Sequence, residues 1–189
     1  MNLFHNLILS SLIISVAATA SEVQNDVETE IERAERIRSI RSNIAKGANV
    51  NKLTPEGVPA IIVAVGTNDM DGLGIILEHP DLNVNARSLK HQQTALMTAV
   101  RLENEVAIEA LLKHPETDVD LTDDQGYTAL HYAVRGNLLK IASLLLPRVK
   151  QINATSSNSH NTVLHLAVYA GNLEMIYALL AHEGIDVNA

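Results

Sequence analysis

The sequence predicts an all-α fold, a solenoid of helix–turn–helix units joined by β-turn or hairpin loops. Three observations carry that prediction. The 189 residues are 47% apolar but only 3% aromatic, with one Phe, four Tyr and no Trp. A core of Ala, Leu, Ile and Val suits close-packed helices better than a β-sandwich or barrel. One block recurs as Pro59-Ala60-Ile61-Ile62-Val63-Ala64, Thr94-Ala95-Leu96-Met97-Thr98-Ala99, Thr128-Ala129-Leu130-His131-Tyr132-Ala133 and Thr162-Val163-Leu164-His165-Leu166-Ala167. A second marker keeps the same step, as Asn49-Val50-Asn51, Asn83-Val84-Asn85, Asp118-Val119-Asp120, Gln151-Ile152-Asn153 and Asp186-Val187-Asn188.

Composition narrows the function classes. With 14 basic against 22 acidic residues the formal charge is −8, and the pI near 5.4 disfavours a general binder of nucleic acid or anionic membranes. The absence of Cys removes disulfides, thiolate metal sites and Cys nucleophiles.

In chain order, residues 1–20 read as a secretory signal peptide. Leu7 to Ala20 carries no charge, Ala18-Thr19-Ala20 offers small residues for cleavage, and the apolar run is short of the roughly 20 residues that span a bilayer. The n-region contributes only the α-amino group and His5 as positive charge. An uncleaved anchor and a buried first helix are the competing readings. Secretion or a periplasmic location follows from the preferred one, with no membrane association after cleavage.

Residues 21–50 read as an N-terminal capping helix and a repeat end. Val27, Ile31, Ala34, Ile37, Ile40 and Ile44 form a helical stripe among Glu and Arg, an apolar face for the first repeat with charges toward water. A coiled-coil or partner-binding helix is the rival. Repeats then run over 51–84, 85–119, 120–152 and 153–187. Within each, Thr or Pro opens a first helix as a cap, and Ala64, Ala99, Ala133 and Ala167 let two helices approach closely. A second helix carries Ile76-Leu77, Leu111-Leu112, Leu144-Leu145 or Leu179-Leu180, with helical apolar spacing such as Val106, Ala110, Leu111 or Leu173, Ile176, Leu180. Asn or Asp at each junction can fold its side chain onto the coming turn, and Gly126 suits a left-handed turn position. Residues 188–189 read as the start of a further, missing repeat. Without a polar last unit, the fourth repeat exposes apolar groups among Val168, Met175, Ile176 and Leu179. A truncated chain, a partner, or self-association through this repeat would account for that.

The period and the Thr-x-Leu-His-x-Ala pattern resemble the ankyrin repeat family, each unit a β-turn plus two antiparallel helices. The resemblance covers about residues 45–189. The third repeat is closest, with Asp123, Gly126, Thr128, Leu130, His131 and Ala133 at the consensus places. Arg135-Gly136-Asn137 reads as one residue shorter than Tyr169-Ala170-Gly171-Asn172, Ile62 and Met97 replace the His, and Gln92 stands near the turn glycine. The resemblance implies that His131 and His165 tie turn to helix and repeat to repeat by hydrogen bonds.

It also implies binding of a protein partner through turn tips and the concave face of the first helices. The candidates are Leu53, Pro55 and Glu56 in turn one; Lys90, His91 and Gln93 in turn two; Thr122, Asp124, Gln125 and Tyr127 in turn three; and Ser156, Ser157, Asn158 and His160 in turn four. Arg101, Arg135 and Tyr169 extend the surface from the ends of first helices, and aromatic and Arg side chains are its expected hot spots. A self-assembling structural protein is the alternative. The partner's identity, and a choice between an envelope accessory and an exported host-directed factor, do not follow from these residues.

Chemistry at other places reads weakly. His79, His114 and His182 recur after second helices, but equivalent residues of stacked helices lie about 8–10 Å apart, too far to share a zinc ion with ligands at about 2.0–2.1 Å. Asp69, Asp71 and Asp81 lack calcium-loop spacing. No nucleophile–His–acid order or phosphate-cradling glycine loop is present, so no enzyme, cofactor or metal is expected. Asn153-Ala154-Thr155 matches the N-glycosylation pattern, which bears only on a eukaryotic secretory route.

Overall fold

A computed structural model describes residues 30–157 and 159–189. The proposed signal peptide, the start of the capping segment and Asn158 lie outside the described residues. The chain divides into two compact units, Met1–Arg36 and Ile37–Ala189. Of the first, the described residues are the opening of helix α1 (Glu30–Ala45); the helix pairs belong to the second.

Four helix pairs succeed one another among the described residues: α2 (Ala60–Gly66) with α3 (Met70–Leu77), α4 (Ala95–Arg101) with α5 (Glu105–Lys113), α6 (Ala129–Arg135) with α7 (Leu139–Leu145), and α8 (Val163–Ala170) with α9 (Leu173–Leu180). The architecture is an all-α repeat solenoid, with strand geometry among the described residues confined to the isolated bridge between Leu53 and Pro59.

Each first helix starts where its sequence supplies a cap. Thr94, Thr128 and Thr162 accept hydrogen bonds from the backbone N–H three residues on, and Pro59 sets an extended φ of −60° without a side-chain cap. At Thr128 and Thr162 the cap is reciprocal. Thr128 N–H donates to His131 Nδ1 at 3.2 Å, and Thr128 Oγ1 lies 2.8 Å from the same nitrogen. Nδ1 therefore accepts, and the remaining proton of the neutral ring sits on Nε2. Ala64, Ala99, Ala133 and Ala167 are buried, which lets the two helices of a pair close up.

The second helices bury part of the expected stripe: Leu111 is inside, Ala110 and Ile176 are half-buried and Leu180 is exposed. Val106 and Leu173 are exposed, whereas Ala107, Ile108 and Leu111, like Met175 and Leu179, are fully buried. The inward face keeps the helical period and begins one or two residues later than expected, at Ala107 and Met175, with Leu111 common to both.

Repeat length also corrects one expectation. A left-handed residue ends the bend between first and second helix at Asn68, Glu103, Asn137 and Gly171. Each lies at the same distance from the residue capping its first helix, so the segment around Gly136 lacks nothing. Asn137 occupies the place of Gly171, and Gly136, at φ −80°, is simply the helix end.

Junction asparagines do more than close their own turns. Asn51, Asn85 and Asp120 each donate a backbone N–H to the side chain two residues earlier. Their own side chains reach the next junction. Asn85 Nδ2 donates to Glu116 O at 2.7 Å while its Oδ1 accepts from Asp118 N at 2.9 Å. Asn51 and Asn153 repeat this two-way rung with Asp81/Asn83 and Gly184/Asp186. Asp120 has no amide to donate; its carboxylate accepts from the N–H groups of Lys150 and Gln151. The carbonyl it would have served, Val149 O, is met instead by His182 Nε2 at 3.1 Å. One rung along, Arg148 donates to the carbonyls of Leu112, Pro115 and Thr117, a cation on the carbonyl end of α5 where the helix dipole favours it.

The stacking face is closed inside the array and open at the fourth pair. Val65, Val100 and Val134 are 0–2% exposed, while Val168 at the equivalent place is 59% exposed, beside exposed Leu173, Tyr177, Leu180 and Val187. Met175 and Leu179, expected on that face, instead fill the space between helices at 0% exposure.

Candidate functional site

The loops that precede the first helices share one closing device. Thr54, Ser88, Asp123 and Ser156 each accept, through a side-chain oxygen, a backbone N–H from the far side of the turn. The residue two before each first-helix cap is left-handed in every turn: Gly57, Gln92, Gly126 and His160. Loops one and three close over fewer residues (Thr54 to Val58, Asp123 to Tyr127) than two and four (Ser88 to Gln93, Ser156 to Asn161). Neighbouring tips are tied by backbone bonds: Leu89 N to Gly57 O at 2.9 Å, Asp124 N to His91 O at 3.2 Å, and Ser157 N to Gln125 O at 2.8 Å.

This geometry sorts the sequence-predicted residues. Pro55, Glu56, Lys90, His91, Asp124, Gln125, Ser157 and His160 are exposed at the tips, as are Arg101, Arg135 and Tyr169 at first-helix ends. A hydrogen bond from Thr54 holds the Glu56 carboxyl below the usual carboxylate range. Leu53 is 37% exposed at the base of its turn, and Gln93, Thr122 and Tyr127 are half-buried. Ser156 is a correction: it is 1% exposed, and its hydroxyl closes the turn and meets Ser159 Oγ at 2.8 Å. It is the counterpart of Asp123, a turn-framework residue, and an inward hydroxyl cannot serve as a contact. Aligning the four turns on that position would have found it.

Five of these residues, His91, Gln93, Arg101, Gln125 and Arg135, converge on one cleft of about 580 Å³ between the second and third pairs. Its floor is a connected polar chain. Arg101 donates to Gln93 Oε1 at 2.8 Å, Gln93 Nε2 donates to Tyr132 Oη at 3.0 Å, and Tyr132 donates to Asp123 Oδ2. Asp123 Oδ1 accepts from the N–H groups of Gln125 and Tyr127, both at 2.9 Å. Burial, reinforced by Asp123, pushes the Tyr132 phenol up to about 12, so it remains a donor at any physiological pH.

Arg101 and Tyr132 of this polar chain also belong to a row in which two tyrosine rings, tilted 53° to one another, stand between two arginines. The Arg101 guanidinium carbon is 5.8 Å from the Tyr132 ring, the Tyr132 and Tyr127 rings are 5.7 Å apart, and the Arg135 guanidinium carbon is 5.8 Å from Tyr127. A guanidinium within about 6 Å of a ring centroid is attracted by the ring quadrupole, which helps to hold the arginine in place. Among the described residues neither guanidinium has a carboxylate within ion-pair distance; His91 pairs with Asp124 at 3.5 Å. Tyr132 and Glu103, which also line the cleft, were not named from sequence. An aromatic residue four after the capping Thr, turned toward the loops, was the signal for Tyr132.

His131 lies under this surface. Burial holds its imidazole below the ordinary value, against smaller opposing effects from the backbone of Asn161 and Ala154 and the charge of Asp123. Its Nε2 has no well-aligned partner among the described residues, and the Tyr127 ring packs on it edge-on at 5.5 Å. Its role is structural, tying turn to helix. Among the described residues no group of three His, Asp or Glu is arranged to hold a metal ion, and no helix is long and apolar enough to cross a membrane. The site presents fixed donors, rings and cations.

Residues 107–189 match the family model of ankyrin repeats, in three copies. Rabankyrin-5 of Homo sapiens is 31% identical over 143 residues, 75% of this chain and 12% of that protein. An ankyrin repeat protein of Fowlpox virus (strain NVSL) is 28% identical over 149 residues, 76% of this chain and 43% of its own. The nuclear factor NF-kappa-B p105 subunit of Gallus gallus is 31% identical over 109 residues, 57% of this chain and 11% of its own. The chain thus spans less than half the length of these relatives.

Proposed function

From a chain built of ankyrin repeats, we propose an exported scaffold that binds another protein through its turn tips and the concave face of its first helices. One observation carries the reading: the cleft between the second and third pairs gathers five exposed or half-buried polar residues around a preset arginine–tyrosine stack. Side chains already held by neighbours lose less entropy on binding than free ones. Aromatic and Arg side chains are the types that dominate binding energy at interfaces.

The test uses the intact protein as bait on the extracytoplasmic fraction of its own organism, beside a His91/Arg101/Gln125/Arg135 alanine variant. A partner held by the first and lost by the second, with circular dichroism unchanged, supports the scaffold; equal capture refutes this site. Export rests on the apolar segment before Glu22. Intact mass of the recovered chain decides it: a start at Ser21 supports secretion or a periplasmic location, and a retained Met1 in the cytoplasm overturns it.

The open face of the fourth pair favours a second reading, self-assembly. The 59% exposure of Val168 against 0–2% at its three counterparts supports it. Replacing Leu173 and Tyr177 with Glu should turn an oligomer into a monomer by light scattering, and a monomeric wild type removes the reading.

A further inference from the structure

Resting on the scaffold reading, we infer that the cleft between the second and third pairs receives an acidic, extended segment of a protein partner. One of its carboxylates docks on Arg101, and a second, about three residues along, docks on Arg135. The argument begins with charge. In a chain of formal charge −8, two exposed guanidinium groups line one cleft, and among the described residues neither has an ion-pair partner. Each is fixed by a ring face, at 5.8 Å from Tyr132 or Tyr127, and Arg101 also by Gln93 at 2.8 Å. Among the described residues the one side-chain hydrogen bond of the two guanidinium groups is that of Arg101 to Gln93, which leaves N–H groups to take a carboxylate with two parallel hydrogen bonds.

Spacing decides between one anion and a string of them. Equivalent positions on adjacent first helices are about 8–10 Å apart, too wide for a single carboxylate or phosphate to bridge. That distance is about three residues of an extended chain, at roughly 3.3 Å each. A polyanion is disfavoured because Glu103 and Asp124 flank the same surface; Glu103 lines the cleft and Asp124 holds His91. A peptide with a few acids separated by neutral residues fits both signs.

The experiment pans a random twelve-residue displayed peptide library on the full chain. Binding of the selected peptides is then measured for wild type, Arg101→Gln, Arg135→Gln and the double variant, in low and high salt. The expected result is enrichment of Asp or Glu at a spacing of about three. Roughly tenfold weakening per arginine is expected, the scale of one charged hydrogen-bonded contact, with further loss in salt. Selected peptides that lose binding on Gln125→Ala but show no acid enrichment and ignore both arginine variants overturn this inference and leave the scaffold reading standing. No selected peptide sensitive to the cleft residues overturns both. Tighter binding of a single-stranded DNA oligonucleotide through the same arginines overturns the assignment to a protein segment.

Discussion

A methyl group placed at Gly126 should destabilise the array by about 2–3 kcal/mol, whereas removing the side chain at Gln92 should stabilise it by about 0.5–1 kcal/mol. Both residues occupy the same turn position, with φ of +77° and +52°. A side chain in this region costs about 1–2 kcal/mol, and glycine's freedom in the unfolded chain returns about 0.5–1. For Gln92→Gly the difference is a net gain, reduced by loss of the exposed Gln92 Nε2–Leu89 O bond at 3.2 Å. For Gly126→Ala the sign reverses and a collision is added. The new Cβ would lie 2.7 Å from Ser157 N and 3.0 Å from Thr155 O. Both are backbone atoms, so the neighbouring loop must move and strain the Ser157 N–Gln125 O bond of 2.8 Å, worth about 1 kcal/mol. At Gly57 the new Cβ would meet Leu89, whose Cδ1 at 2.7 Å can rotate away but whose Cβ at 2.9 Å moves only with the backbone, so Gly57→Ala should also cost stability, through strain on the Leu89 N–Gly57 O bond. Urea unfolding followed by far-UV circular dichroism reads all three. Gly126→Ala within about 0.5 kcal/mol of wild type, or Gln92→Gly as harmful as Gly57→Ala, refutes the reasoning.

Removing the amide rung with Asn85→Ala should cost about 1–2 kcal/mol, since Glu116 O and Asp118 N both lose their side-chain partner; an unchanged urea midpoint would show the rung to be idle. Burial lowers the His131 pKa in the folded protein, so the unfolded chain, titrating near 6.5, binds the proton first as pH falls. This contribution is therefore complete above about pH 6.5 and is lost below it, by at most about 1.4 kcal/mol per pH unit. Midpoints at pH 7.5 and 5.5 should draw together in His131→Gln, and identical slopes in the two proteins refute the assignment. Val134→Ala should cost about 2 kcal/mol from two buried methyl groups and the void they leave, against less than about 0.5 for Val168→Ala; equal losses would mean that the fourth pair's face is covered in solution.

What the sequence made legible is whatever the period repeats. Threonine caps, the small alanines of the first helices and the junction Asn and Asp residues recur often enough to be aligned by eye, and each lies where its physical chemistry requires. Phase was harder. Val106 and Leu173 share the helical period with the buried stripe yet face water, because periodicity alone does not say which side meets the neighbouring repeat. Ser156 misled because serine in a loop reads as surface, and only its correspondence with Asp123 marks it as part of the frame. The Arg101–Tyr132–Tyr127–Arg135 stack was legible as residue types and not as an arrangement, since every contact in it depends on how loops and first helices fold onto one another. Left-handed Gln92, Glu103 and His160 could not be read from propensity, which would have placed glycine or asparagine there.

The exchange of roles at Asp120 bears on how such an array can be rearranged. Elsewhere a rung is self-contained: one asparagine serves both groups of the next junction, so cutting out or duplicating a unit leaves each rung with a partner of the same kind. Asp120 serves only the N–H side, and the carbonyl of Val149 depends on His182, which comes from the far end of the following unit. The third and fourth repeats are thereby a linked set. Shuffling either one alone would strand a carbonyl or a histidine, and because Arg148 of the third repeat also serves carbonyls at the end of the second, recombination within this chain should conserve repeats two to four as a block.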